Sequence, residues 1–119
     1  MAPVASRRSK DAQMIIKDKN TLTALLVGST HYVEMAPGKE AAIYYRTADE
    51  AFMALPDGTR RTGQWRLTDT GYHVDWIDGP SAGWQIDVEP GRIGYLDAGG
   101  IERGHVSRIV PGDAAALAA

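Results

Sequence analysis

The sequence predicts an all-β protein: a small antiparallel meander barrel of about seven to eight strands, with a short N-terminal helix. From Ser29 onward, runs of alternating apolar and polar residues recur about every ten residues, the spacing of an all-β meander. Glycine, proline and aspartate separate these runs and supply the backbone angles that strand reversal needs. All three tryptophans, Trp65, Trp76 and Trp84, lie in one third of the chain and mark the centre of the apolar interior.

Length and composition limit the function classes. A chain of 119 residues forms one domain whose core needs no disulfide or metal. The absence of cysteine excludes disulfides, a thiolate nucleophile and cysteine-based metal sites. It also predicts a cytoplasmic location. A periplasmic location is the alternative if a signal peptide has been removed. Thirteen basic and fifteen acidic residues give a net charge of −2, a poor footprint for nucleic acid. We expect neither a nucleic-acid nor a membrane partner.

The elements follow in order along the chain. Residues 1–13 lack periodicity and predict a disordered arm ahead of a single barrel domain at 14–119. Asn20 or Thr21 is suited to cap a short helix that ends at a left-handed Gly28 and plugs or flanks the barrel. The alanine-rich tail after Asp113 predicts a short capped helix or a frayed end. The expected strands are residues 29–35, 41–47, 50–55, 61–68, 72–77, 83–88, 92–97 and 101–110.

The central strands predict an aromatic wall. Because alternate residues of a strand share a face, Tyr72, Val74 and Trp76 point inward together. Trp65 and Trp84 repeat this pattern on the neighbouring strands. Such a wall is either a packed core or the lining of a ligand pocket. The residues expected to contact a ligand are Tyr45, Trp65, Trp76, Trp84 and Tyr95.

A second apolar surface is expected outside the barrel. Tyr44 and Tyr45 are adjacent, so one faces inward and the other outward. The neighbouring strands are also apolar on both faces, at Ile43, Phe52, Met53 and Leu55. An outer surface of this kind needs cover from the short helix or from another subunit. We therefore predict a homo-oligomer.

Candidates for proton transfer are His31, Glu34, Tyr95, Asp97 and His105. The patterns of the strands that carry His31 and His105 do not determine which face points inward, so either histidine could lie in the interior. A histidine among apolar neighbours is, however, more often structural than catalytic. Asp97 shares a face with Tyr95 and needs a partner if it is interior. Alternatively, Asp97 ends its strand and opens the following turn, as aspartate often does.

A further histidine–carboxylate pair lies on one predicted strand face. His73 and Asp75 are two residues apart, a spacing that brings the two side chains within reach for general base catalysis. The alternative is a solvated outer face, which the register of the aromatic wall favours. Gln64, Arg66, Gln85 and Asp87 would continue that polar face.

A resemblance supports the barrel. The chain contains, in this order, Gly28-x-Thr30, Tyr44-Tyr45, Asp57-Gly58, Gly63-x-Trp65, Gly71-Tyr72-x-Val74-x-Trp76 and Gly91-x-Ile93-x-Tyr95. This pattern resembles small uncharacterised bacterial β-barrel domains, many of them exported. The resemblance covers most of the chain from Gly28 and implies the fold. Those domains often carry cysteines where this chain has Val74 or nearby residues, and that departure argues against the periplasm.

Three functions remain open from the sequence. The first is binding of a small apolar or aromatic molecule inside the barrel. The second is a cofactor-independent lyase, isomerase or hydratase that uses an inward histidine or carboxylate in the same pocket. The third is a structural or interaction module with a filled core. No cofactor is expected, because the sequence has no glycine-rich strand-to-helix motif for a nucleotide and its three histidines lack zinc-site spacing.

Overall fold

The chain forms a closed antiparallel barrel in the computed structural model, which describes residues 14–118; the predicted arm at 1–13 lies outside this range. A short strand β1 (Met14–Ile15) and a helix α1 (Lys19–Leu26) precede the barrel. The barrel strands are β2 (Ser29–Ala36), β3 (Lys39–Tyr45), β4 (Glu50–Ala54), β5 (Arg60–Leu67), β6 (Tyr72–Trp76), β7 (Ser81–Glu89), β8 (Arg92–Asp97) and β9 (Glu102–Pro111).

The strands pair in sequence order. Each strand from β2 to β9 lies antiparallel to the next, and β9 returns to pair with β2, which closes eight strands into a barrel. The prediction of an all-β meander barrel with a short N-terminal helix is therefore confirmed. The pairing of β6 with β7 reaches only the Tyr72–Trp84 pair, and β1 pairs with β7 beyond that point, with Ile15 opposite Asp87. Strand β1 has no signal in the sequence, because two residues show no alternation.

Helix α1 begins earlier than predicted, and Asp18 is its N-cap. Its Oδ2 accepts hydrogen bonds from the Thr21 hydroxyl at 2.7 Å and from the Thr21 amide at 2.8 Å. These bonds hold the pKa of Asp18 below its usual range. Thr21 therefore donates to the cap, and neither it nor Asn20 is the cap itself. The predicted left-handed stop is confirmed at Gly28, where φ is 85°.

Helix α1 plugs one end of the barrel. Leu22 and Leu26 are four residues apart on one helix face, and both are fully buried. They belong to the same apolar core as Tyr45, Trp65 and Tyr72. The plugged end lies where β2 begins and β3 ends, as the bridge between Val27 and Tyr45 shows. The opposite end, which we call the mouth, carries the β2–β3, β4–β5, β6–β7 and β8–β9 turns.

The segment after β9 forms neither the predicted helix nor a frayed end within the described residues. The Thr30 hydroxyl donates to the Gly112 carbonyl at 2.7 Å and accepts from the Ala114 amide at 3.0 Å. The Asp113 carboxylate accepts from the Leu117 amide at 2.7 Å. The segment therefore packs beside the start of β2, because polar side chains satisfy backbone groups that a helix would otherwise pair.

The outer face of β5 and β6 is polar, as predicted. His73 Nε2 lies 3.1 Å from Asp75 Oδ1, and Arg66 Nη1 lies 3.3 Å from Asp75 Oδ2. Asp87 departs from the prediction of a solvated face, because it is only 1% exposed. It lies on the part of β7 that pairs with β1, where Ile15 is opposite.

Tyr45 faces inward and Tyr44 outward. Tyr44 stacks on Phe52 with 6.2 Å between ring centroids, and the Arg46 guanidinium lies 5.2 Å from the Phe52 centroid. Helix α1 does not cover this surface, because its apolar face is inserted into the barrel. Ile43 and Met53 face the interior, and Tyr44 and Phe52 lie on the opposite, outer face of the same strands.

Candidate functional site

The mouth of the barrel opens into an apolar pocket of about 60 Å³. Near the rim lie Met35, Met53, Trp76, Trp84 and Arg103, and Val33, Ala41, Ile43, Val74 and Gly104 line the walls. Tyr45, Tyr72 and Tyr95 form the floor, on the side of the plugging helix. The pocket is a continuation of the barrel interior, because every one of its strands turns alternate side chains inward.

Four of the five predicted ligand-contacting residues line this pocket: Tyr45, Trp76, Trp84 and Tyr95. Trp65 is placed differently. Its ring packs edge-on against Tyr45 at 5.4 Å and Tyr72 at 5.7 Å, behind the floor, and its Nε1 donates to the Thr47 carbonyl at 3.0 Å. Trp65 is therefore part of the packed core between the floor and the plugged end.

A chain of buried hydrogen bonds joins the floor to helix α1. The hydroxyl of Tyr45 lies 2.8 Å from that of Tyr72 and 3.0 Å from that of Tyr95. The Tyr95 hydroxyl lies 3.0 Å from His31 Nδ1. His31 Nε2 in turn lies 3.0 Å from the Leu25 carbonyl near the end of the helix. We call these five residues the floor network.

Burial keeps the floor network uncharged. Desolvation is the main cause that raises the pKa of Tyr45 to about 12 and the pKa values of Tyr72 and Tyr95 well above their ordinary value. Desolvation also lowers the pKa of His31, since a buried imidazolium would lose its hydration. At neutral pH the site therefore presents three phenol groups and a neutral imidazole.

The five candidates for proton transfer are divided among three places. His31 and Tyr95 meet in the floor network. Glu34 and His105 meet on the outer surface, where Glu34 Oε1 lies 3.0 Å from His105 Nε2 and both side chains are about one-third exposed. They border a separate surface cleft of about 260 Å³ near the β2–β3 turn.

Asp97 ends β8 at the mouth and opens the following turn. Its carboxylate accepts from the amides of Gly99 at 2.9 Å and Ile101 at 3.0 Å, and from Arg103 Nε at 2.8 Å. The backbone bond from Ile101 and the Arg103 guanidinium hold the pKa of Asp97 below its usual range. Its contribution to the site is therefore to fix Arg103 beside the pocket rim.

Tyr72 is the floor residue that was not among the site candidates predicted from the sequence. Its inward direction was predicted, together with Val74 and Trp76. The missing step was chemical: three tyrosines that face one apolar interior need hydrogen-bond partners, and each is the nearest partner for the others. That requirement was a signal for a polar floor within the aromatic wall.

The fold and the site together define the class: a closed eight-stranded meander barrel with a helical plug and a polar floor beneath an apolar pocket. Comparison with protein-family models, with curated proteins and with solved structures finds no match for this chain. Within residues 14–118, no three histidine, cysteine, aspartate or glutamate side chains are grouped to hold a metal ion. In the same range, the single helix is too short to cross a membrane.

Proposed function

We propose that the protein binds a small apolar or aromatic molecule in the pocket at the mouth of the barrel. The observation that supports this is the composition of the pocket, whose walls are aliphatic and aromatic, with phenol groups on the floor and Arg103 at the rim. Small-molecule sites usually combine an apolar lining with a few polar groups that orient the ligand. A packed core would instead leave no opening at the end opposite the helix.

The size of the pocket favours a small or narrow group. One water needs roughly 10–15 Å³, whereas an engineered cavity of about 150 Å³ accepts benzene. The volume of about 60 Å³ lies between these values, so a ring fits only if rim side chains move. Met35 and Met53 are suited to such movement, because methionine is unbranched and flexible.

Exposed apolar side chains are concentrated at the mouth. Met35 at the end of β2 is 46% exposed, Ile77 in the β6–β7 turn 63%, and Ile101 in the β8–β9 turn 57%. The remaining large exposed apolar side chain of the described residues is Met14, which lies on β1 opposite Val88. An apolar rim lowers the cost for an apolar molecule to leave water at the point where it enters.

Intrinsic tryptophan fluorescence tests the proposal. Trp76 and Trp84 line the pocket and Trp65 does not, so saturable quenching by a panel of small aromatic and aliphatic compounds is expected in the wild type. Trp65→Phe should keep this response. Trp84→Phe and Trp76→Phe should each lose a substantial part of it. Equal responses from all three variants would place binding outside the pocket.

The same panel of compounds also tests the other two functions, the cofactor-independent enzyme and the structural or interaction module. The observation that favours an enzyme is the contact of Tyr95, a pocket residue, with His31 at 3.0 Å, a distance that permits proton exchange. Consumption of a bound compound by the wild type but not by Tyr95→Phe would support that function. A response from no compound would favour the structural or interaction module.

The homo-oligomer stays a prediction, and we propose that the stacked pair of Tyr44 and Phe52 contacts a second copy. The pair presents aromatic surface on the outside of β3 and β4, with Arg46 beside it. Sedimentation should then show self-association that weakens in Tyr44→Ser. A chain that sediments as a monomer at high micromolar concentration would contradict this.

The cytoplasmic location likewise stays a prediction from the absence of cysteine.

A further inference from the structure

We infer that the pocket takes amphipathic anions, which are apolar molecules that end in a carboxylate, and that Arg103 at the rim binds the carboxylate. The inference rests on the proposed function and adds the chemical class of the ligand. Arg103 is the one charged side chain among residues 14–118 that lines the pocket. A positive charge beside an apolar opening is the arrangement that an apolar molecule with a negative end requires.

Arg103 is turned toward the pocket by a β-bulge. On β9, Gly104 is opposite Tyr95, and Glu102 is opposite Leu96. Arg103 lies between them and has no partner on β8. Regular alternation would send neighbouring side chains to opposite faces, yet Arg103 and Gly104 both line the pocket. An extra residue in a strand re-aims a side chain in this way, and bulges are frequent at barrel rims.

The Asp97 carboxylate holds the guanidinium in place. Arg103 Nε donates to Asp97 Oδ2 at 2.8 Å, while Asp97 Oδ1 accepts from two amides of the turn that follows β8. In the pairing of β7 with β8, Asp97 is opposite Trp84, which lines the pocket. A guanidinium that is fixed before binding loses less side-chain entropy when a ligand arrives.

The terminal nitrogens of Arg103 remain for a ligand. Among residues 14–118, no acceptor is bonded to Nη1 or Nη2. The N–H groups on these atoms form a planar fork that matches the two oxygens of a carboxylate. The neighbouring acids have donors of their own, since Glu34 lies 3.0 Å from His105 Nε2 and Glu102 is paired with Arg92.

The rim is the favourable place for the charged end of a ligand. The Arg103 side chain is 55% exposed, so a carboxylate bound there stays partly hydrated and avoids the cost of a buried charge. The interior below is apolar, and at the floor the hydroxyl of Tyr45 contacts those of Tyr72 and Tyr95. An alkyl chain or a narrow ring can fill this interior while the carboxylate stays at Arg103.

Three compounds with the same alkyl chain test this selectivity by titration calorimetry at neutral pH: hexanoate, 1-hexanol and hexylamine. We expect hexanoate to bind the wild type about tenfold more tightly than 1-hexanol, as a hydrogen bond to a charged, partly exposed group implies. Hexylamine is cationic and should bind more weakly than 1-hexanol. The ratio of hexanoate to 1-hexanol affinity should fall at about 1 M salt, which screens exposed charges.

Arginine variants locate the preference. Arg103→Gln should reduce the ratio to below about twofold and remove its salt dependence. Arg66→Gln is the matched control, because Arg66 also contacts an aspartate, Asp75 at 3.3 Å, and is 64% exposed, but lies on the outer face. This variant should keep the ratio. Arg103→Lys keeps the charge without the planar fork, so its ratio should lie between those of the wild type and Arg103→Gln.

The outcomes separate the inference from the proposed function. Equal affinities of hexanoate and 1-hexanol, or tightest binding of hexylamine, would overturn the inference and leave the binding pocket in place. An unchanged ratio in Arg103→Gln, or the same loss in Arg66→Gln, would also overturn it. If none of the three compounds binds and the tryptophan panel gives no response, the proposed function fails as well.

Discussion

Replacing Gly71 with alanine is expected to destabilise the barrel by about 3 kcal/mol, as strong overpacking does. Gly71 lies between β5 and β6, where the backbone passes close to β7. A Cβ atom at this position would lie 2.0 Å from the Trp84 carbonyl oxygen and 3.1 Å from the Gln85 Cα. These are backbone atoms, so no side chain can rotate away, and the pairing of β6 with β7 must shift. Urea unfolding measures the loss.

Gly83 provides a matched control on β7. A Cβ atom there would meet Ala98 Cβ at 3.6 Å and the Tyr72 carbonyl oxygen at 3.9 Å, which are ordinary contacts. Gly83→Ala should therefore change the free energy of unfolding by no more than about 1 kcal/mol. Any change should be an increase, because alanine reduces the conformational entropy of the unfolded chain. A similar loss in Gly71→Ala and Gly83→Ala would show that close backbone approach is not the cause.

Alkaline pH is expected to unfold the protein through its buried phenols. Burial raises the pKa of Tyr45 from 10.0 to about 12, and those of Tyr72 and Tyr95 are also raised. A raised pKa means that the folded chain binds the proton more tightly than the unfolded chain. This stability is complete below pH 10 and is lost as the pH rises toward 12 and beyond. Tyr45 alone accounts for roughly 3 kcal/mol.

Single tyrosine variants isolate this contribution from the titration of lysines. The free energy of unfolding, measured by urea denaturation from pH 8 to pH 12, should fall less steeply above pH 10 in Tyr45→Phe than in the wild type. Tyr44→Phe should fall as steeply as the wild type, because it leaves the three buried hydroxyls in place. The expectation is wrong if the Tyr45→Phe profile runs parallel to the other two.

The fold could be predicted because its signals are local. Alternation in the run of Tyr72, Val74 and Trp76 depends on neighbouring residues only, and so do the turn residues between strands. Two features of the fold had no such signal. The pairing of β1 with β7 depends on where β6 begins, and the choice of Asp18 as the cap depends on a reach of three residues to Thr21.

The site was less predictable because its contacts are distant in sequence. Tyr95 and His31 are 64 residues apart, and alternation places each inward without telling which side chains meet. His105 remained ambiguous for a further reason. The pairing of β9 is shifted once against β8, near Tyr95 and Leu96, and once against β2, near Tyr32 and Val33. Each bulge changes which residues face inward beyond it.

The two-residue strand β1 has a consequence for aggregation. A closed barrel has no free edges only if neighbouring strands are equally long, and β7 has nine residues where β6 has five. Beyond Trp84, β1 pairs with β7, and the Ile16 amide donates to the Ile86 carbonyl at 2.8 Å. An uncovered edge there would be a template for a strand from another molecule. The segment before the helix therefore protects this edge of the barrel against edge-to-edge polymerisation.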